Sequence, residues 1–128
     1  MRQKIDIGVQ LVLGLIFFVF GLNGFLEFLP MPEMGETAGT YFGGLAATGY
    51  FLPVLKIVEI VGGLLLIVRV FAPLALVLLA PVVVQILLFH LFLDPAGTPM
   101  AIVITLIEAY LGFFVYREAF APLLRAKP

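Results

Sequence analysis

The sequence predicts an all-α fold, a polytopic transmembrane four-helix bundle with a short interfacial helix in the first outer loop. Three observations predict it. Of 128 residues, 63% are apolar and 12% charged, where a soluble domain has roughly 45–50% and about 25%. Four long apolar runs approach the ~20 residues that a hydrocarbon core of roughly 30 Å requires. The basic residues of the connecting segments all fall on one side of a four-span arrangement. The spans use up most of the chain, so residues 1–128 read as a single membrane domain.

The first span is expected from Ile7 to Phe28, after the basic start Arg2-Gln3-Lys4 and before Pro30-Met31-Pro32. A basic start before an apolar run also describes a signal peptide. This run exceeds the usual 7–15 residue core and no small-x-small site follows it, so it reads as an uncleaved span. Residues 30–49, rich in Pro and Gly, cannot continue the helix. Within them Tyr41, Phe42 and Leu45 mark a short interfacial helix ended by Gly49. The second span covers 50–68, with Pro53 in its first turn, and Arg69-Val70-Phe71 is a very short connection. The third covers 73–93 and contains Pro81, expected to kink it. After the turn Asp94-Pro95-Ala96-Gly97, Thr98 is expected as N-cap and Pro99 as the first helical residue of the fourth span, 99–116.

Arg2, Lys4, Arg69, Arg117, Arg125 and Lys127 lie on one side of this arrangement. Glu27, Glu33, Glu36 and Asp94 lie on the other. Cationic residues near span ends stay on the cytoplasmic side, which predicts a multi-pass protein of the cell inner membrane with both termini cytoplasmic. The chain has no cysteine. That excludes disulfides, thiolate nucleophiles, iron–sulfur clusters and dithiol chemistry. A single histidine, His90, cannot supply two axial haem ligands from one chain. No spaced His pair marks a metal site, no self-contained catalytic motif is present, and nothing points to nucleic acid.

Ionisable groups at membrane depth cost about 2.5–3.5 kcal/mol each on insertion scales, which makes each a functional candidate. Counting about 1.5 Å of rise per residue from the outer end, Glu59 and Glu108 lie near the midplane, nine residues into the second and fourth spans. Gln85 lies slightly above them, Lys56, Asn23 and His90 in the outer half, and Glu27 near the outer boundary. Lys56, Glu59 and Gly63 share one helix face, as do Thr105, Glu108 and Gly112. The two faces are expected to meet in the bundle interior, with glycine permitting close approach. Lys56 is placed to pair with Glu59. The second carboxyl must then be protonated, pair with His90 or bind something. The alternative for Asn23 and Gln85 is interhelical adhesion, and for His90 a helix-end role. The inner half carries almost no polar side chain beyond Gln10. Gly8, Gly14 and Gly21 permit close packing either within the bundle or between protomers.

The runs GLNGFLEFLP at 21–30, ATGYFLPVLKIVEIVGGLLLI at 47–67 and APLALVLLAPVVVQILLFHLFL at 72–93 resemble the DoxX family of small bacterial four-span membrane proteins. The most specific elements are Glu59 with the paired glycines and aliphatic run to Leu65, and Gly21 to Phe25. The resemblance implies the four-span fold and a role in quinone-linked or oxidative-stress redox assemblies. Lys56 departs from the family pattern, which more often has a small residue there.

Three functions remain open. The chain is a redox-associated subunit, itself without intrinsic cofactor, that binds a quinone or other lipid-soluble molecule in an outer-half polar pocket formed by Lys56, Glu59, Glu108, His90, Gln85 and Asn23. Or it is a structural subunit of a homo-oligomer or larger membrane complex. Or it is a small transport unit, which the apolar inner half disfavours.

Overall fold

The computed structural model describes residues 2–26 and 35–126. The expected end of the first span at Phe28, the Pro30-Met31-Pro32 break, and Glu27, Glu33 and Lys127 lie outside the described residues. Six α-helices follow in order among the described residues: α1 (Arg2–Leu26), α2 (Glu36–Ala47), α3 (Phe51–Val68), α4 (Ala72–Phe92), α5 (Thr98–Tyr110) and α6 (Arg117–Phe120). Four stretches are long and apolar enough to cross a membrane: α1, α3, α4 and the segment Pro95–Val115 built around α5. Only 17–28% of the most apolar window of each is buried within the chain. The remaining surface, including Leu15, Val61, Leu74, Val84 and Leu106, is exposed hydrocarbon that water would not tolerate over this area and lipid accepts.

α1 packs most extensively on α3, α3 on α4 and α4 on α5, while α5 touches α1 lightly. α3 and α5 therefore stand across the bundle from one another. The α1–α3 contact is close because glycines line it. A Cβ on Gly14 would fall 2.9 Å from the Gly63 carbonyl oxygen, and one on Gly21 would fall 2.8 Å from Ile60 Cγ1. Gly14 and Gly21 thus serve packing inside the bundle, whereas Gly8 has open space around it. Leu13, Phe17, Leu66, Leu76, Leu79 and Leu111 form the fully buried centre.

The connections are built locally. In the three-residue turn Arg69–Phe71, Arg69 (φ 60°) and Phe71 (φ 54°) both take the left-handed conformation, and Val70 N–H closes on the Leu65 carbonyl at 3.1 Å. That conformation costs an ordinary L-residue roughly 1–2 kcal/mol. It is tolerated because the turn must reverse the chain between two spans within three residues. α2 is longer than the Tyr41–Leu45 signal implied, and Gly49 ends its turn at φ 79° as expected of a glycine. Tyr41 and Phe42 of α2 stack on Phe89 of α4, with ring centroids 5.5 and 5.0 Å apart. α4 runs as one helix through Pro81.

Two local expectations are corrected. Thr98 does not cap its own helix: its hydroxyl donates to the His90 carbonyl at 3.2 Å, tying the fourth span to the end of α4. The fourth span is not a uniform helix to Tyr116. It widens into a π turn at Leu111–Val115, where Tyr116 N–H bonds Leu111 O at 2.8 Å, and the helix breaks at Tyr116.

Candidate functional sites

The six polar candidates fall into separate places. Lys56 and Glu59 form the expected pair, Nζ to Oε1 at 3.3 Å, with the Glu59 side chain 7% exposed and that of Lys56 26%. The pair sits where α1 meets α3. Gly24 is the seat of the lysine stem, since a Cβ there would come within 2.5 Å of Lys56 Cγ. Asn23, one residue earlier, is buried and engaged. The Gly21–Phe25 segment and the Glu59–Gly63 segment, singled out separately in the sequence, are therefore two sides of one interface.

Glu108 stands on α5, across the bundle. The expected meeting of the Gly63 and Gly112 faces does not occur. A Cβ on Gly63 would strike α1 at Phe18 N, 2.5 Å away, whereas Gly112 has open space. Equal depth along two helices does not make them neighbours, because the chain order places α4 and α1 between them. Glu108 Oε1 is buried with no hydrogen-bond partner among the described residues.

His90 is held in the α4–α5 turn. Its Nδ1 faces two acceptors, the Asp94 carbonyl oxygen at 3.1 Å and Asp94 Oδ2 at 3.4 Å, so the proton resides on Nδ1. Its ring lies against Gly97, where no side chain would fit. Gln85 is exposed, and its amide donates to the Tyr41 hydroxyl at 3.3 Å. The two residues border a cavity of about 220 Å³ that Leu88, Phe89, Phe92 and Leu93 also line.

The opposite, basic end of the bundle is more polar than the sequence indicated. Gln10, 3% exposed, donates through Nε2 to the Leu66 carbonyl oxygen at 3.0 Å and accepts at Oε1 from the Tyr116 hydroxyl. One turn toward the chain start, Asp6 accepts from the Tyr110 hydroxyl at 2.5 Å. A cavity of about 410 Å³ opens beside them, reached by Gln3, Asp6, Gln10, Arg69 and Tyr116. The expectation of a nearly nonpolar inner half is thereby corrected. Asp6 and Tyr116 were missed because each sits near a span end, where a polar residue is unremarkable, and Tyr110 because a tyrosine inside an apolar span reads as one more aromatic. No local pattern marked them, because the partners of Tyr110 and Tyr116, Asp6 and Gln10, lie more than 100 residues away.

The chain matches no protein-family model, no curated protein and no solved structure.

Proposed function

We propose that this chain is a DoxX-like subunit of a redox assembly in the cell inner membrane, with both termini cytoplasmic. In this reading it binds the head of a quinone or another lipid-soluble small molecule. One observation carries the reading: the buried Glu108 Oε1 without a hydrogen-bond partner among the described residues. An unsatisfied buried polar atom costs about 1–3 kcal/mol, and at membrane depth no bulk water relieves it. A ligand offering a hydroxyl or a carbonyl near Glu108 removes that cost, accepting or donating according to the protonation of the carboxyl. Lys56 and Glu59 satisfy each other and have no comparable need. The ligand site therefore centres on α5 rather than on all six candidates together. Electrons would come from a partner subunit.

Native mass spectrometry after mild extraction tests this. The unmodified chain is expected to retain a quinone or isoprenoid ligand, Glu108→Leu to lose it, and Gln85→Leu to keep it. Ligand-free spectra from repeated preparations, or equal retention by Glu108→Leu, refute the proposal.

A second reading is favoured by the Lys56–Glu59 pair, whose lysine stem lies against Gly24 of α1 beside the buried Asn23. Under it the chain is an assembly subunit. Double replacement of Glu59 and Glu108 then lowers stability but leaves partner activity unchanged in the formed complex.

A further inference from the structure

The cavity at the basic end takes no part in the ligand site proposed around Glu108. It occupies about 410 Å³ between the start of α1, the Arg69 turn and the end of the fourth span, within the range of small-molecule sites. Its buried floor is built: Gln10 is fixed by Leu66 and Tyr116. Its wall is built too, because Tyr110 holds the Asp6 carboxylate through one oxygen, Oδ1. Arg69, in the turn between the second and third spans, also lines the cavity. No ion pair of Arg69 is found among the described residues. Gln10 lies four residues beyond Asp6, about 6 Å deeper along the helix. The cavity thus runs from the span ends inward, the level at which lipid headgroups lie.

The lining therefore carries one cation, Arg69, and one carboxylate, Asp6. A purely anionic ligand would gain Arg69 and face repulsion from Asp6. A ligand with both charges satisfies both groups. We infer that this cavity binds a zwitterionic phosphoethanolamine group, its phosphate on Arg69 and Gln3 and its primary ammonium on Asp6. Guanidinium and phosphate match as a bidentate pair, and a primary ammonium donates hydrogen bonds to a carboxylate. A quaternary choline ammonium carries no N–H and cannot make the second contact.

The test is lipid retention and thermal protection of the full chain in detergent. The probes are phosphatidylethanolamine, phosphatidylcholine and phosphatidylglycerol of identical acyl chains, with free phosphoethanolamine as a fourth arm. Phosphatidylethanolamine is expected to bind roughly tenfold more tightly than the other two lipids, the effect of one charge-assisted contact. Asp6→Asn is expected to erase the preference over phosphatidylglycerol, and Arg69→Gln to weaken all phosphate-bearing probes. A merely structural Asp6 would alter the melting temperature and leave the order of lipids unchanged. Protection by the lipid alone assigns the site to the bilayer, and protection by free phosphoethanolamine as well assigns it to the soluble headgroup. Equal retention of the three lipids, or an unaltered order in Asp6→Asn, overturns the inference. Neither result bears on ligand retention at Glu108.

Discussion

Gly63→Ala is expected to be among the most damaging single-methyl additions in this chain. The added Cβ would lie 2.5 Å from Phe18 N, 2.7 Å from Gly14 O and 3.0 Å from Phe18 Cα. Ordinary heavy-atom contacts are about 3.5–4.0 Å, so the shortfall is about 1 Å. All three obstacles are backbone atoms of α1, and none can rotate away. The helices must part. A gap of 0.5–1 Å forfeits a quarter to a half of each dispersion contact along the seam. The Gln10–Leu66 bond, at 3.0 Å on the same seam, stretches with it. Overpacking typically costs about 1–3 kcal/mol, and with an unyielding partner the expected loss is about 3 kcal/mol. Two neighbours calibrate it. For Gly62→Ala the three nearest atoms are Leu79 side-chain carbons at 2.8–3.1 Å, which rotate, so about 1 kcal/mol is expected. Gly8→Ala meets nothing within 4 Å and is expected to be neutral or to gain up to about 1 kcal/mol of helix propensity. Reversible unfolding in mixed micelles by circular dichroism measures all three. A Gly63→Ala loss below about 0.5 kcal/mol, or Gly62→Ala exceeding it, would refute the close α1–α3 seam.

Three further outcomes follow from the polar contacts. Lys56→Met keeps an apolar stem on Gly24 but strands the Glu59 carboxyl, with an expected loss of about 3 kcal/mol that Lys56→Met combined with Glu59→Leu largely recovers; simple additivity in a double-mutant cycle would count against a buried pair. Tyr116→Phe leaves the buried Gln10 Oε1 without its donor and is expected to cost about 1–2 kcal/mol. Tyr110→Phe is expected to cost less, because Asp6 is only half-buried; the reverse order in the same unfolding experiment would contradict this placement.

Composition and run length determined the four spans, because the requirement to bury backbone polar groups in helices and to expose hydrocarbon to lipid acts on each segment separately. The Lys56–Glu59 pair was legible for the same reason: three residues along a helix fix a distance whatever the fold. What lay between helices was not. Gly63 and Gly112 share a spacing pattern, yet one is pressed against α1 and the other faces open space. Thr98 looked like a cap and became a tie between helices. Asp6 and Tyr110, or Gln10 and Tyr116, are more than 100 residues apart, and no local pattern announces them. Only the tertiary structure decided which helices are neighbours. In a membrane bundle that choice rests on the fit of small residues and hydrogen bonds between equally apolar surfaces, a property of pairs of helices that no single stretch of sequence contains.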